Sequence, residues 1–123
     1  YAHRGMVDFA LTASGTATLE NALLGVPMAV VYKIAWASYL IVRRMVQVKH
    51  IGLVNLLAGK TICREFIQSQ ATPQALADYA CETLTTPPLI QSMKSEMASV
   101  RTSLGPPGAA HRAAEAVLKV VGE

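Results

Sequence analysis

Two largely apolar runs, separated by a short helical pattern, constrain the fold of this chain more than any other feature. Residues 7–13 and 27–32 carry mostly apolar side chains, a pattern typical of parallel strands that are covered on both faces. Residues 17–24 between them are helical in pattern, and Gly25 followed by Pro27 is a usual helix end. A strand, a helix and a strand with tight connections form a βαβ unit. The sequence therefore predicts an α/β fold with a parallel sheet flanked by helices.

The middle of the chain has weaker signals. Residues 36–47 are helical in pattern, whereas residues 50–57 look extended or irregular. Residues 58–60 predict a turn, and residues 62–68 predict either a short helix or a structured loop. No internal repeat or low-complexity segment occurs in the sequence.

Beyond residue 70 the sequence predicts helices. Thr72 followed by Pro73 supplies an N-cap hydroxyl and a proline at the first helical position. Pro87-Pro88 and the segment 105–108 then separate the helical patterns. Helices are predicted over residues 73–84, 89–104 and 109–121. The expected layout is a βαβ core followed by a helical C-terminal tail.

The composition argues against several classes of protein. Of the 123 residues, 52% are apolar and 15% are charged, which makes a disordered chain a poor interpretation. No apolar run reaches the roughly 20 residues of a membrane-spanning helix. A net charge of +3, without a basic stripe interleaved with aromatics, predicts no nucleic-acid partner. Because the chain begins at Tyr1 and enters a strand pattern within a few residues, we expect it to be part of a longer protein.

The two cysteines indicate neither a metal site nor a redox motif. Cys63 and Cys81 have no metal-ligand spacing and do not form a CxxC pair. We expect two idle thiols in a reducing cytoplasm, and we predict no metal and no cofactor.

The segment Ser14-Gly15-Thr16 lies between the first strand and the first helix, where open α/β sheets bind ligands. A helix N-terminus presents unpaired N–H groups and a partial positive charge, which suit a phosphate. Gly15 lets the backbone approach closely, and the two hydroxyls can donate. The alternative is simple N-capping by Ser14 or Thr16, with Gly15 only making the turn. The pattern alone leaves both interpretations open.

Glu20 strengthens the ligand interpretation. A capping box requires Glu or Gln three residues after the cap, and Glu20 does not have that spacing from Ser14 or Thr16. At about 100° per residue, Glu20 shares a face with Thr16 and projects between Leu23 and Leu24. A carboxylate on an apolar side needs hydrogen-bond donors, which two ribose hydroxyls would supply. A solvated Glu on a helix edge remains the alternative.

Several segments together resemble the lipid-A-disaccharide synthases. The resemblance covers residues 13–20, 22–28, 31–33 and 55–59, together with Glu65 and Gln68, and it returns at 109–118 after weakening beyond Gln68. The Ser-Gly-Thr piece alone is found in many UDP-sugar transferases, whereas its combination with Asn-Leu-Leu-Ala-Gly at 55–59 is much more specific.

The resemblance implies a fold and a reaction. It implies the C-terminal Rossmann-like half of a GT-B glycosyltransferase, with a partial nucleotide-sugar-binding core over residues 1–70 and a helical segment of the same domain over residues 71–123. Such enzymes join UDP-2,3-diacylglucosamine to 2,3-diacylglucosamine 1-phosphate, invert the anomeric carbon and release UDP in lipid A biosynthesis. They work at the cytoplasmic face of the inner membrane.

The resemblance also implies roles for individual residues. Ser14, Gly15 and Thr16 would hold the diphosphate, and Glu20 would hold the ribose. Further cleft-lining candidates are Tyr32, Asn55, Glu65 and Gln68. The alternative for Asn55 and Gln68 is that each only holds backbone in a tight loop, and the alternative for Tyr32 and Lys33 is that they are ordinary strand-end residues. This chain departs from the family pattern at Val54, where proline is usual, and at Lys60, where arginine is usual. Lysine keeps the charge but lacks the bidentate fork of arginine, so the exchange is not neutral if this side chain contacts ligand.

The sequence offers no good general base. Asp8 precedes the cleft end of its strand and Asp78 falls in a tail helix, while His3, His50 and His111 form no catalytic arrangement. A serine hydrolase is excluded because no GxSxG elbow surrounds Ser14. The resemblance places the acceptor site and the base in an N-terminal domain outside this chain. We therefore expect this chain to bind the donor and not to catalyse transfer alone.

The stretch 36–49 is apolar with a basic end, which suits contact with an anionic membrane surface. Its members are Trp36, Tyr39, Leu40, Ile41, Val42, Met45 and Val46, with Arg43, Arg44 and Lys49. The alternative is packing against the rest of the domain or against the N-terminal domain.

Three further interpretations stay open. The chain could be a non-catalytic nucleotide-sugar-binding module, or it could belong to another UDP-sugar transferase or epimerase of the same fold. A homodimer with exchanged C-terminal elements is also a hypothesis, in which helices after Thr72 pack on a partner chain.

Overall fold

The computed structural model describes residues 6–45 and 49–122. Its strands are β1 (Ala10–Ala13), β2 (Met28–Tyr32) and β3 (Glu65–Ile67), and a 3₁₀ turn at Gln68–Gln70 follows β3. Its helices are α1 (Thr16–Leu24), α2 (Trp36–Met45), α3 (Leu53–Ala58), α4 (Pro73–Thr85), α5 (Pro87–Ser103) and α6 (Ala109–Val121). The fold is a three-stranded parallel sheet flanked by helices, which confirms the predicted fold class.

The predicted β1–α1–β2 unit and the three C-terminal helices are confirmed, with small shifts at their ends. β1 begins three residues later than expected, since residues 7–9 lie outside the strand. Helix α4 begins as predicted: Pro73 is its first residue, and the Thr72 hydroxyl accepts a hydrogen bond of 3.2 Å from the N–H of Ala75. The predicted helix over residues 36–47 is observed as α2, and its last two residues lie outside the described residues.

Two predictions for the middle of the chain are wrong. The segment 50–57 was expected to be extended or irregular, but it contains most of α3. The segment 62–68 was expected to be a short helix or a loop, but it contains β3. The predicted turn at residues 58–60 is present, because Gly59 ends α3 in the left-handed conformation at φ 67°.

β2 is the central strand, and its register aligns the three strand ends. Ala13 of β1 pairs with Val31, and Tyr32 of β2 pairs with Ile67 of β3. In a parallel sheet these carboxyl ends meet at one edge. Met28, Ala29 and Val30 are all completely buried, so both faces of β2 are covered. The continuous apolar pattern of β2 therefore reflects coverage on both faces, as the sequence predicted.

The helical tail packs on the sheet through α4 and α5. Met93 and Met97 of α5 join Ala22 of α1, Val30 of β2 and Val54 of α3 in one core cluster. Tyr79 of α4 lies against Phe66 of β3, with 5.5 Å between the ring centroids. These contacts make α4 and α5 part of the same packed unit as the sheet.

Helix α6 is different because none of its residues is buried. The exposed fractions of Leu118 and Val121 are 69% and 77%. The helix is nevertheless amphipathic, with His111, Arg112, Glu115 and Lys119 placed between its apolar positions. Within residues 6–45 and 49–122, no helix has the length and apolar content that a membrane crossing requires.

Candidate functional site

The carboxyl edge of the sheet brings together three of the predicted segments. Ser14 follows β1, Lys33 follows β2 and Gln68 follows β3. Ala13, the last residue of β1, pairs with Val31, so Ser14 and Lys33 both leave the sheet at this edge, from neighbouring strands. This is the edge at which open α/β sheets bind ligands.

The N-terminus of α1 opens onto this edge without a side-chain cap. Gly15 is the N-cap residue, and within the described part of the chain no side chain makes a cap hydrogen bond there. The alternative that Ser14 or Thr16 caps the helix is therefore wrong. The helix start is held from inside instead, because the buried Thr18 hydroxyl donates a hydrogen bond of 2.7 Å to the carbonyl of Gly15. The first-turn N–H groups and the positive end of the helix dipole suit an anion.

Gly15 is required by its backbone conformation. Its φ of 115° and ψ of −156° belong to a region that is essentially restricted to glycine. A Cβ built at Gly15 meets no atom of the described residues within 4 Å, so crowding does not explain the glycine. Open space in front of the helix end is compatible with a ligand there.

Glu20 stands one turn into α1 from Thr16, but the reason given for its importance is wrong. Leu23 and Leu24, which were expected to mark the apolar side, are 38% and 39% exposed. The buried face of α1 consists of Thr18, Asn21 and Ala22. Glu20 is half-buried, so its carboxylate lies at the margin of the helix and not on the core side.

A cavity of about 400 Å³ lies at the ends of β2 and β3. Its lining includes Lys33, Ile34, Trp36, Gln68 and Thr72. Lys33 is exposed and brings a positive charge to the edge that carries the N-terminus of α1. Tyr32 is half-buried at the last position of β2 and does not line this cavity. This recess carries the positive charge of Lys33, and its lining does not include Ser14, Gly15, Thr16 or Glu20.

Gln68 lines the cavity and also joins two segments. Its side-chain Oε1 accepts a hydrogen bond of 2.8 Å from the N–H of Ile34, and its Nε2 donates one of 3.0 Å to the carbonyl of Ile34. The side chain is buried, and its backbone has a φ of 53°. The sequence indicated a residue at the cleft and gave no sign of this pair of bonds.

Asn55 is fully buried and makes four hydrogen bonds inside the domain. Its Oδ1 accepts from the N–H groups of Ile62 (2.8 Å) and Cys63 (3.0 Å). Its Nδ2 donates to the carbonyl of Cys63 (2.6 Å) and to Oε1 of Glu65 (2.9 Å). The amide therefore has no hydrogen-bonding capacity left for a ligand. Its placement in the interior supports the loop between α3 and β3.

Glu65 completes this network at the start of α3. Its carboxylate accepts hydrogen bonds from the N–H groups of Ile51 (2.8 Å) and Gly52 (2.9 Å). Gly52 is the N-cap residue of α3, so the carboxylate supplies the negative charge that a helix N-terminus favours. The side chain is half-buried and is engaged with the protein's own backbone.

The two departures from the family pattern lie away from the recess. Val54 is completely buried in the core cluster, where an apolar side chain needs no further explanation. Lys60 Nζ lies 2.6 Å from Oε2 of Glu96, which links the end of α3 to α5. The structure thus gives Lys60 an ion pair within the chain and no position beside the strand ends.

Groups with acid–base potential do not gather at the recess. Asp8 and Asp78 are exposed, His111 lies in α6 beside Glu115 at 3.2 Å, and His50 follows the gap in the described chain. His3 lies outside the described residues. Within residues 6–45 and 49–122, no cluster of three or more His, Cys, Asp or Glu side chains has metal-binding geometry.

Burial changes the acidity of two groups in the core. Burial, reinforced by the Glu65 carboxylate, raises the pKa of the Cys63 thiol from 9.0 to about 12. Burial also raises the pKa of Tyr79, an effect that a hydrogen bond of 3.5 Å from the N–H of Arg64 partly offsets. Cys81 is exposed and, like Cys63, is a free thiol.

The sequence did not indicate the buried polar residues that connect α1 to β1 and α3. Asn21 Nδ2 donates a hydrogen bond of 2.7 Å to the hydroxyl of Thr12, which ties α1 to β1. The Thr18 hydroxyl also accepts a bond of 3.3 Å from the N–H of Val54. The one available signal was helical spacing, since Thr18, Asn21 and Ala22 share a face of α1.

The comparisons with known proteins agree with one another. The family model described as lipid-A-disaccharide synthetase matches residues 3–120. Proteins named lipid-A-disaccharide synthase are 46% identical over 114 residues in Syntrophus aciditrophicus, 43% over 117 residues in an Anaeromyxobacter species and 36% over 116 residues in Geobacter sulfurreducens. The alignments cover 93%, 95% and 94% of this chain. The chain spans about 30% of the length of each of these relatives.

Proposed function

Since this chain belongs to the lipid-A-disaccharide synthase family, we propose that it is the donor-binding part of a glycosyltransferase of lipid A biosynthesis. The donor is UDP-2,3-diacylglucosamine, and the acceptor is 2,3-diacylglucosamine 1-phosphate. One observation supports the donor-binding role. The N-terminus of α1 is not capped by any described side chain, and it lies at the carboxyl edge of the sheet.

The UDP diphosphate binds at the start of α1. The N–H groups of the first turn donate to its oxygens, and the hydroxyls of Ser14 and Thr16 add further donors. Gly15 places no side chain in that space. Lys33, on the neighbouring strand end, adds a positive charge beside the helix dipole. Together these groups bind the diphosphate and stabilise the charge that develops on it as the sugar leaves.

Glu20 holds the ribose. It follows Thr16 by one helical turn, and its half-buried side chain lies at the helix margin, where a ribose beyond the diphosphate is within reach. A carboxylate accepts two hydrogen bonds from vicinal hydroxyls. The exposed position of Leu23 and Leu24 supports this role because it places Glu20 beside solvent and not in the core.

Catalysis needs groups from outside this chain. Transfer with inversion requires a base that removes a proton from the acceptor hydroxyl while the anomeric carbon is attacked. In the described residues, no histidine or spare carboxylate lies at the recess. We assign the base and the acceptor site to a preceding N-terminal domain, so that this chain binds the donor and orients it.

The apolar face of α2 contacts the cytoplasmic surface of the inner membrane in this proposal. Trp36, Leu40 and Ile41 are 62%, 49% and 60% exposed, and Trp36 lies next to Tyr39 with 5.7 Å between ring centroids. Such a face suits the interfacial region of a bilayer, where aromatic rings are favoured. Of the other predicted members of this stretch, Lys49 is exposed. Val46 and the side chains of residues 42–45 lie outside the part of the chain that the structure describes.

A homodimer with exchanged C-terminal elements would use α6. Helices α4 and α5 pack on the sheet of their own chain, whereas α6 presents an amphipathic surface with no buried residue. Within the segment after Thr72, we therefore propose the exchange for α6.

Calorimetric titration of UDP into the intact polypeptide tests the donor-binding role. We expect saturable binding that Glu20→Gln weakens about tenfold, since hydrogen bonds to a charged acceptor are stronger than those to a neutral one. Glu82→Gln is the matched control, because Glu82 is an exposed carboxylate on α4. No UDP binding by the folded wild type would contradict the proposal and favour a module that has kept only the fold.

A further inference from the structure

Gln68 adopts a backbone conformation that its residue type does not favour. Its φ of 53° makes it the single non-glycine residue with positive φ among residues 6–45 and 49–122. The left-handed conformation costs an L-residue about 1–2 kcal/mol, and glycine or asparagine adopts it more readily. The side chain is also buried, at 7% exposure. A long amide at this position therefore needs a reason beyond the turn.

The two hydrogen bonds to Ile34 supply that reason. Backbone pairing between β2 and β3 ends at Tyr32 and Ile67. Beyond that point the Gln68 amide accepts from the N–H of Ile34 (2.8 Å) and donates to its carbonyl (3.0 Å). The side chain thus continues the sheet by one link where the two backbones separate. A shorter side chain from the same backbone position would not reach.

This link fixes the segment between β2 and α2, which carries Lys33 into the recess. Lys33, Ile34 and Gln68 all line the cavity of about 400 Å³. Lys33 is exposed and directly follows β2, the strand that pairs with the strand leading into Ser14 and Gly15. A lysine held there acts on the same anion as the N-terminus of α1. An unlinked segment would leave the ammonium group free to sample other positions, at an entropic cost on binding.

We propose that Gln68 is a positioning residue for the donor site, which acts through Ile34 to hold Lys33 beside the diphosphate. The inference rests on the proposed donor-binding function and adds to it a residue that works without touching the reacting atoms. It separates Gln68 from Asn55 and Glu65, whose bonds brace α3 and β3.

The test uses Gln68→Gly and Gln68→Asn in the intact polypeptide. Both residues accept the left-handed conformation, and neither reaches Ile34, so strain is relieved while the link is lost. We expect faster hydrogen exchange at the Ile34 amide, an unchanged or slightly raised melting temperature, and UDP binding that is about three- to tenfold weaker. In a transfer assay, KM for the donor rises and kcat falls, because Lys33 also acts on the charge that develops on the diphosphate, whereas KM for the acceptor changes little.

A double-mutant cycle with Lys33→Ala shows whether the effect passes through Lys33. Lys33→Ala alone weakens UDP binding, and adding Gln68→Gly to it causes no further loss if the two residues act in one path. The inference is wrong if the Gln68 variants lose protection at Ile34 yet bind UDP as tightly as the wild type, or if the two effects simply add. A wild type that binds no UDP overturns the proposed function, and this inference with it, whereas binding that is insensitive to Gln68 overturns the inference alone.

Discussion

Asn55 donates a hydrogen bond of 2.9 Å from Nδ2 to Oε1 of Glu65, and this bond connects helix α3 to strand β3. The same carboxylate binds the N–H groups of Ile51 and Gly52 at the start of α3. Glu65 thus holds the start of α3, and Asn55 holds Ile62 and Cys63, which lead into β3. Asn55 and Glu65 were both predicted to line a cleft, but the hydrogen bonds that they make are to other groups of the protein.

Asn55→Ala is expected to destabilise the fold by about 3 kcal/mol, because it leaves the buried N–H and carbonyl of Cys63 and the partly buried N–H of Ile62 without this partner. Urea unfolding of the intact polypeptide, followed by circular dichroism, measures the change. Gln74→Ala is the control: its amide bonds to Asp78 at an exposed site, and its loss should change stability by less than about 0.5 kcal/mol. Equal effects of the two substitutions would show that the Asn55 network contributes little.

The same network explains what the sequence did not predict. Helix α3 has six residues, and its N-terminal charge comes from Glu65, thirteen residues beyond Gly52. Strand β3 has three residues, too few to show a period of two. Local patterns carry no information about such partners. The β1–α1–β2 unit was predictable because its strands are mostly apolar and Gly25 and Pro27 follow its helix.

Some features of the site could likewise be predicted from local sequence, and others could not. The position of Ser14, Gly15 and Thr16 at a strand–helix junction follows from local pattern, and the structure places them there. The link from Gln68 to Ile34 spans thirty-four residues, so only the folded register reveals it. Glu20 was expected on the apolar side of α1 and lies at its margin, because helical spacing alone does not say which face of α1 meets the core.

Gly15→Ala should weaken UDP binding by more than tenfold, since it forces an unfavourable backbone conformation and puts a methyl group at the helix end. Gly25→Ala is the matched control. Gly25 also has positive φ, at 68°, and a Cβ there likewise meets no described atom within 4 Å. It ends α1 at the opposite edge of the sheet, so its replacement should lower the melting temperature and leave the UDP dissociation constant unchanged. Similar losses of UDP affinity in both variants would contradict the placement of the diphosphate.

The free energy of unfolding should fall as the pH rises above 9. The Cys63 thiol has its pKa raised to about 12 in the folded state, so between pH 9 and 12 it ionises in the unfolded chain and not in the fold. Its contribution is complete below pH 9 and is lost as the pH approaches 12. The raised pKa of Tyr79 acts in the same direction. Urea midpoints between pH 7 and 10.5 measure the trend.

Cys63→Ala provides the control for that trend, because it should flatten the alkaline decline to the part that Tyr79 contributes. Thiol labelling at pH 8 gives an independent check. Cys81 should react with iodoacetamide in the native protein, and Cys63 only after unfolding. Equal labelling rates for the two cysteines would contradict the burial of Cys63.

Met97→Ala should destabilise the domain by about 2–5 kcal/mol, the usual range for truncation of a fully buried methionine. Met97 of α5 is completely buried. Leu118→Ser in α6, at a site that is 69% exposed, should change the stability of this domain by less than about 0.5 kcal/mol. Thermal unfolding of the two variants measures the loss of stability in each. A large loss for Leu118→Ser would mean that α6 is packed in the intact polypeptide, and analytical ultracentrifugation would then show whether its partner is a second copy.

The most direct test of the donor-binding account is hydrogen exchange of the intact polypeptide with and without UDP, read by mass spectrometry. The account predicts slower exchange in the first turn of α1, next to Gly15, and in residues 33–35, with little change in α5. Protection confined to another region would contradict it, for example around the cavity of about 300 Å³ that includes Lys60 and Glu96.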